Sequence, residues 1–206
     1  MKALKLLFVV LLITSGLVLG ISYLLSSPRF RISVIMVSGN HEVSLQEISD
    51  LMTVPKGENI FKFNSSRIIK ILELHPWIKK AAIKRKLPNK ILLTLDERNP
   101  IALLRLSPQE GYLLDREGFV IDKAVTEDGR NLIKIMPHGL NIAPKEGNTL
   151  VDPVLKEILN LAYVFRRVSP WEGKELEQIE WNKELGTILK FKNLSTEFRL
   201  GKDHYQ

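Results

Sequence analysis

The sequence contains no cysteine, which excludes disulfide bonds, thiolate metal sites, cysteine nucleophiles and the lipid-modified cysteine of a lipoprotein. The motifs of common enzymes are missing too: there is no G-x-S-x-G, no phosphate-binding glycine loop, no H-E-x-x-H and no S-x-x-K. The histidines are scattered, and no spacing places two of them on one face. We therefore predict a protein that is not an enzyme and that needs no cofactor, metal ion or small-molecule substrate.

Charged residues are absent from one long stretch, which runs from Leu6 to Leu25. A helix of this length rises roughly 30 Å, the thickness of the hydrocarbon core of a bilayer, and it satisfies its own backbone hydrogen bonds in lipid. We predict a transmembrane helix over residues 6–25, preceded by a cytoplasmic tail of residues 1–5. The large apolar side chains of this predicted anchor are Leu6, Leu7, Phe8, Leu11, Leu12, Leu17, Leu19, Leu24 and Leu25.

Two other interpretations of this stretch stay open: a cleaved signal peptide and a buried core helix. A signal peptide has an apolar core of about 7–15 residues and an A-x-A-like cleavage site. This stretch is longer, and residues 24–28 offer no such site. A core helix rarely lacks polar residues on every face. Positive charges are nearly balanced, with Lys2 and Lys5 before the stretch and Arg29 and Arg31 after it. We favour a short N-terminal segment inside the cell, because the bulk of the chain follows the stretch.

Positive charge is concentrated in the half of the chain nearest this stretch. The net charge is +7. Residues 26–100 carry 13 Lys and Arg against 7 Asp and Glu, whereas residues 101–206 carry 15 against 16. Such a surface suits anionic lipid head groups or an acidic partner, and an ordinary solvated strand face fits it equally well. We expect no nucleic-acid partner, since aromatic residues are not interleaved with the basic ones. The densest run consists of Lys79, Lys80, Lys84, Arg85, Lys86 and Lys90.

The pattern after the apolar stretch predicts a small α+β domain. Arg31–Val37 is rich in β-branched residues and precedes a turn, which favours a strand. Ser44 followed by Glu47 is a capping box that begins one short helix, and a second helix begins near Asn64. A hairpin with its turn at Pro88 completes the order strand, helix, helix, strand, strand. A three-stranded sheet with both helices on one face suits this order.

Residues 101–206 predict a second, mostly antiparallel β domain with one helix packed against it. Asp152 caps that helix, Pro153 occupies its first position, and Ser169-Pro170 ends it. Loops that end in glycine, at residues 115–118 and 182–186, predict hairpins. The strand candidates are Ile101–Leu106, Tyr112–Leu114, Phe119–Ile121, Leu132–Ile135, Ile179–Trp181, Thr187–Phe191 and Thr196–Leu200.

A series of short motifs, in a fixed order along the chain, resembles the FtsQ/DivIB family of cell-division proteins. The matching segments are Val37–Asn40, His75–Ile78, Arg85, Pro88-Asn89, Asp96–Ala102, Leu114–Val120 and Leu200–Asp203. The POTRA and junction motif positions are Gly39, Asn40, Pro76, Trp77, Arg85, Pro88, Glu97, Arg98 and Pro100. No single motif is specific for the family, but the combination of all of them in this order, over almost the whole chain, is specific for it.

The resemblance implies a POTRA domain over residues 29–98 and an FtsQ-type β domain over residues 99–206. It implies a non-enzymatic, single-pass type II protein of the cytoplasmic (inner) membrane, with its C-terminal bulk outside the cytoplasm at the division septum. Such proteins recruit and tether other division proteins, including an FtsB/FtsL-type (DivIC/FtsL) subcomplex.

In the family the partner adds a strand to an exposed edge of the β domain. The resemblance therefore points to a partner edge at Thr196, Glu197, Phe198, Arg199 and Leu200. Family members continue with a helix and a final strand beyond the segment that ends at Asp203. We accordingly expect the end of the β domain to be missing after Gln206.

Two other functions fit parts of the pattern. A POTRA-type module of outer-membrane protein assembly or secretion would carry tandem copies or a following β-barrel, and the sequence shows neither. A cell-wall hydrolase would need a carboxylate pair or a metal cluster, but Asp96 and Glu97 are adjacent on a predicted strand and point to opposite faces. We interpret Glu97 and Arg98 instead as a structural ion pair at the junction between the two domains.

Overall fold

The structure is a computed structural model that describes residues 2–53, 57–124, 130–167 and 175–201. It contains four α-helices and ten strands in these ranges, and the chain divides into two compact units. The first unit is Met1–Glu73 with Lys80–Asp96, and the second is Leu74–Lys79 with Glu97–Gln206. The helices are α1 (Lys2–Leu25), α2 (Leu45–Met52), α3 (Ser65–Leu72) and α4 (Pro153–Arg167). The strands are β1 (Val34–Ser38), β2 (Ile78–Lys86), β3 (Lys90–Glu97), β4 (Ala102–Ser107), β5 (Glu110–Leu114), β6 (Val120–Lys123), β7 (Ile133–His138), β8 (Leu176–Asn182), β9 (Gly186–Phe191) and β10 (Glu197–Gly201).

Helix α1 is the apolar stretch of the sequence analysis. Its 24 residues include no buried side chain, so it is not a core helix of the first unit. By length and composition alone, this helix is long and apolar enough to cross a membrane. The helix begins at Lys2, so the described residues of the short basic segment before Leu6 are part of it.

The first unit places α2 and α3 on one face of a three-stranded sheet, as the periodicity predicts. Ser44 Oγ accepts a hydrogen bond from the backbone N–H of Glu47 at 3.2 Å, which caps α2. Asn64 Oδ1 accepts one from the N–H of Arg67 at 3.1 Å, which caps α3. The strand order is β1-β3-β2, with β1 and β3 parallel. Buried side chains from both helices, the central strand and the loops that precede the helices form the core: Val43, Ile48, Met52, Ile60, Phe63, Ile68, Leu72, Ile91, Leu93 and Leu95.

Strand β1 begins three residues later than the sequence predicts, at Val34 instead of Arg31. The residues before it bond to loops instead of to β3. The N–H of Ile32 donates to the carbonyl of Glu58 at 2.9 Å, and the N–H of Ser33 donates to that of Asn89 at 3.0 Å. β-branched composition fits both environments, so the pattern alone does not distinguish them.

The second unit is a seven-stranded sheet with α4 packed on one face. The strand order is β10-β9-β8-β7-β4-β5-β6. Four of its pairings are antiparallel, while β4–β7 and β7–β8 are parallel. The parallel β7–β8 pair follows from α4, because a helix between two strands returns the chain to the same end of the sheet. The predicted mostly antiparallel sheet with one packed helix is confirmed.

Helix α4 buries one apolar stripe on the sheet and begins where the sequence places it. Asp152 Oδ1 accepts a hydrogen bond from the N–H of Leu155 at 2.9 Å, and Pro153 is the first helical residue. The predicted stop at Ser169-Pro170 lies outside the described residues. The buried side chains of the stripe are Leu155, Ile158, Leu159 and Ala162, and they pack on buried residues of six strands.

Candidate functional site

Strand β10 ends the sheet of the second unit on one side. It pairs with β9 in antiparallel register, from Glu197 opposite Lys190 to Arg199 opposite Ile188. Within residues 175–201 and the other described ranges, no strand pairs with its far side. Within the part of the chain that the structure describes, this is the side of β10 on which a further strand would add.

The opposite edge of the same sheet, β6, is covered by the segment 147–150. The N–H of Val120 donates to the carbonyl of Asn148 at 2.8 Å, and the carbonyl of Val120 accepts from Gly147 at 2.9 Å. Phe119 and Thr149 form an isolated antiparallel bridge beside them. The two edges thus differ: the start of β6 pairs with the chain's own backbone, whereas no described strand pairs with the far side of β10.

Aromatic and ionic contacts hold β10 in place. Phe198 packs edge-on against Phe191 of β9 at 5.4 Å between ring centroids, and Phe191 packs against Phe165 of α4 at 5.8 Å. Lys190 Nζ lies 2.6 Å from Glu180 of β8 and 3.2 Å from Glu197 of β10. The hydrogen bond to Glu180 is the largest cause that raises the pKa of Lys190. A preformed edge strand costs less conformational entropy on binding than a loop that must be ordered.

The exposed side chains of β10 are Glu197, Arg199 and Leu200, whereas Phe198 faces the core. Thr196 is exposed and precedes the strand by one residue. The segment that the resemblance singles out is therefore the last described strand of its sheet, with Glu197 paired to Lys190 and with Arg199 and Leu200 exposed.

Several of the motif residues meet in a second cluster, around the carboxylate of Asp115 between β5 and β6. Asp115 is only 3% exposed. Its Oδ1 accepts hydrogen bonds from the N–H groups of Glu117 and Phe119, both at 2.9 Å. Its Oδ2 accepts one from Arg98 Nη1 at 2.8 Å. One carboxylate therefore closes the 115–118 turn and neutralises a partly buried guanidinium.

Arg98 is fixed from three directions. Besides its bond to Asp115, its guanidinium lies 3.5 Å above the centre of the Phe119 ring. Its backbone N–H donates to the carbonyl of Trp77 at 2.8 Å. The sequence interpretation named Glu97 as the partner of Arg98, whereas the ion pair that the structure shows joins Arg98 to Asp115. The two partners lie 17 residues apart, a separation that neighbouring charges in the sequence do not reveal.

Trp77 covers the sheet face opposite α4. Its ring packs on a small buried cluster of Leu103, Leu113 and Ile121, which alternate with the residues that face the helix. Its indole Nε1 donates to Asp122 Oδ2 at 3.2 Å, and the guanidinium of Arg130 lies 4.8 Å from the ring centre. This packing is why Leu74–Lys79 belongs to the second compact unit.

Burial and hydrogen bonding act in opposite directions on the carboxylates of this cluster. Burial is the largest cause and raises the pKa of Asp115, while the hydrogen bonds from Phe119 and Arg98 lower it. The pKa of Glu117 is lowered, chiefly by its hydrogen bond from Lys79 at 2.8 Å. The Lys79–Glu117 pair is exposed on both sides and contributes little stability. The ion pairs and hydrogen bonds of this cluster therefore have a structural role.

The structure separates the members of the predicted basic run. Lys79 pairs with Glu117 in the second unit, while Arg85 donates to the carbonyl of Phe63 in the first unit at 2.7 Å. The remaining lysines are exposed, and on β2 they alternate onto one face of the strand. They are Lys80, Lys84, Lys86 and Lys90.

The remaining motif positions occupy turns. Gly39 has φ of 83°, and a Cβ there would lie 2.1 Å from the carbonyl oxygen of Leu95, so only glycine fits this position. Asn40 donates to the carbonyl of Val43 at 3.4 Å. The carbonyl of Pro100 accepts from Arg166 Nη1 at 2.7 Å. Pro76 lies in the turn before β2, and Pro88 lies in the turn between β2 and β3.

Sequence reasoning missed the roles of Asp115 and Asp122. Asp115 lies in a quoted motif, but nothing in its neighbourhood marks it as the partner of Arg98. Asp122 follows two buried residues on β6 and carries no local signal. Among the described residues, no three His, Asp or Glu side chains come close enough to hold a metal ion.

These features define a POTRA-containing protein with an N-terminal apolar helix and an additional sheet domain. The family described as "POTRA domain, FtsQ-type" matches residues 30–98. The chain is 28% identical to the cell division protein FtsQ of Myxococcus fulvus over 160 residues, which are 75% of this chain and 54% of that protein. It is 31% identical to that of an Anaeromyxobacter species over 182 residues, 85% of this chain and 58% of that protein.

A third relative, the cell division protein FtsQ of Rickettsia bellii, is 32% identical over 113 residues, which are 55% of this chain and 42% of that protein. The chain thus spans about half the length of the relatives that it matches. The chain belongs to the FtsQ family of cell-division proteins.

Proposed function

We propose that this protein is a membrane-anchored, non-enzymatic scaffold of the division machinery. Helix α1 holds it in the cytoplasmic membrane as a single-pass type II protein, and both folded units lie outside the cytoplasm at the septum. The position of β10 as the last described strand on one side of its sheet is the observation that carries this proposal, together with relatives that are named cell division protein FtsQ.

The proposed binding mode is strand addition at β10. A partner segment that extends along β10 satisfies the backbone groups on its far side, and its side chains meet Glu197, Arg199 and Leu200. At the other sheet edge the first residue of β6, Val120, is already paired with Gly147 and Asn148. The partner is an FtsB/FtsL-type subcomplex, as the family membership suggests.

Site-specific photo-cross-linking in dividing cells tests this mode. A photoreactive residue at Arg199, exposed on β10, is expected to yield a product that contains the FtsB- or FtsL-type partner. The matched control carries the same residue at Lys123, which is exposed at the end of β6 near the covered edge. Absence of a product at Arg199, or a product at Lys123 alone, contradicts strand addition at β10.

The cellular part of the proposal is tested by imaging. A fluorescent fusion of the full chain is expected to concentrate at midcell in dividing cells. A uniform signal around the cell periphery would show an anchored protein without a septal role, and a diffuse cytoplasmic signal would remove the anchor as well.

A further inference from the structure

Two short segments of the first unit come together at the C-terminal end of α1. They are residues 28–31, which form one tight helical turn, and residues 57–62; together we call them the collar. Asn59 Nδ2 donates to the carbonyl of Leu25, the last residue of α1, at 2.7 Å. This bond satisfies one of the carbonyls that a helix leaves free at its C-terminus.

Further contacts make the collar one body. The N–H of Ile60 donates to the carbonyl of Phe30 at 2.8 Å, and Arg31 and Asn59 form an antiparallel bridge. The rings of Phe30 and Phe61 lie 5.1 Å apart, in a tilted arrangement. Ile60 is fully buried in the core, so the collar is continuous with the folded unit behind it.

The end of α1 sets the depth of the collar. A helix of this composition crosses the hydrocarbon layer, and its last apolar residue then lies at the boundary with the head groups. Asn59 is within hydrogen-bond distance of Leu25, so residues 57–62 lie at the same level. Phe61 remains 39% exposed at this point although it is aromatic, which suits the boundary between head groups and acyl chains.

The charge of the collar is predominantly positive. Arg29, Arg31 and Lys62 are all exposed. Glu58 is the one acidic residue in the two segments, and it is half-buried. Three cations around an exposed aromatic ring, at head-group level, are complementary to anionic phospholipid.

We propose that the collar rests in the head-group layer, with Phe61 inserted, and that Arg29, Arg31 and Lys62 bind anionic phospholipid head groups. This inference rests on the proposed membrane anchor. The collar would fix the distance between the bilayer and the first unit, because Asn59 and the Phe30–Phe61 contact leave no flexible linker between them.

The absence of cysteine allows the depth of Phe61 to be measured directly. A spin label on Phe61→Cys, in the full chain reconstituted into phosphatidylcholine vesicles with about one third phosphatidylglycerol, reports its accessibility to oxygen and to a water-soluble nickel complex. We expect the label at position 61 to lie at the depth of the head-group boundary. A label on Leu45→Cys, an exposed apolar residue of α2, is the control and is expected to be fully aqueous. An aqueous label at Phe61 overturns the proposal.

Lipid selectivity tests the charges without touching Phe61. The association of spin-labelled phosphatidylglycerol with the full chain, relative to spin-labelled phosphatidylcholine, is compared with that of the variant R29Q/R31Q/K62Q. Each basic residue near an anionic surface accounts for about a fivefold preference, so the ratio is expected to fall by at least fivefold in the triple variant. All three residues are exposed, so these changes leave the fold intact.

The control K145Q/K156Q/K183Q removes the same charge from exposed positions of the second unit. We expect it to retain the selectivity of the unaltered chain. An unchanged ratio in the collar variant, or an equal fall in both variants, overturns the collar as the lipid site. Extraction of the vesicles with alkaline carbonate separates the two proposals: release of the chain refutes the anchor, whereas retention with an aqueous Phe61 label refutes the collar alone.

Discussion

Removing Arg98 should destabilise the second unit strongly, because it leaves the carboxylate of Asp115 buried with only two amide donors. Asp115 is 3% exposed, and the Arg98 side chain is 16% exposed. Breaking a buried ion pair by removing one member costs about 3–5 kcal/mol. The stacking of Arg98 on Phe119 at 3.5 Å is lost in the same variant. We expect Arg98→Ala to lower the free energy of unfolding by an amount in that range.

Urea unfolding followed by tryptophan fluorescence measures this change in the full chain in detergent micelles. All the tryptophans lie in the second unit, so their fluorescence reports that unit. Arg98→Lys keeps the charge but loses the planar stacking on Phe119. Its free energy of unfolding is expected to lie between those of wild type and Arg98→Ala. Lys79→Ala is the matched control, because it removes a cation from an exposed pair and should cost less than about 1 kcal/mol.

The effect of Arg98→Ala should also depend on pH. Burial raises the pKa of Asp115, and the Arg98 interactions lower it, so the variant has a still higher folded pKa for Asp115. When a carboxyl has a higher pKa in the folded state than in the unfolded state, the folded protein loses stability as the pH rises from the unfolded-state pKa through the folded-state pKa. The difference in stability between wild type and Arg98→Ala is therefore smallest at acidic pH, where Asp115 is protonated in both and the lost stacking on Phe119 remains, and it grows toward neutral pH.

Two results would refute this reasoning. One is a loss of less than about 1 kcal/mol in Arg98→Ala, which would show that solvent compensates the pair as it does at a surface. The other is strict additivity of Arg98→Ala and Asp115→Ala. Residues in direct contact normally couple by about 0.5–3 kcal/mol, and a pair that closes a buried turn should lie in the upper part of that range.

Two further changes test local features of each unit. Gly39→Ala places a Cβ 2.1 Å from the Leu95 carbonyl oxygen at φ of 83°. It should therefore lower the melting temperature far more than Gly139→Ala, where φ is 87° and no atom lies within 4 Å of the added Cβ. Equal shifts in melting temperature would show that only backbone strain matters. Asp152→Ala removes the cap that accepts from Leu155 at 2.9 Å and should cost about 1 kcal/mol in urea unfolding, with Asp152→Asn largely restoring it; a loss in both variants would point to charge instead of capping.

Local patterns were sufficient to predict most of the elements. The capping side chains of Ser44 and Asp152 lie where they were expected, because a helix cap involves residues within three positions of each other. Every strand candidate of the second unit corresponds to an observed strand, with shifts at the ends. Helix α1 was equally clear, since a charge-free run of that length is defined by composition alone.

The sequence by itself thus determined the apolar helix, the order of elements, the caps and, through ordered motifs, the family. Only the tertiary structure decided that Arg98 pairs with Asp115, that β10 is the last described strand of its sheet while Val120 of β6 pairs with residues 147–148, and that Asn59 meets the end of α1. Each of these depends on contacts between residues far apart in the chain. Hydrophobic periodicity specifies which face of an element is buried, but it carries no information about which distant polar group or strand will lie against it.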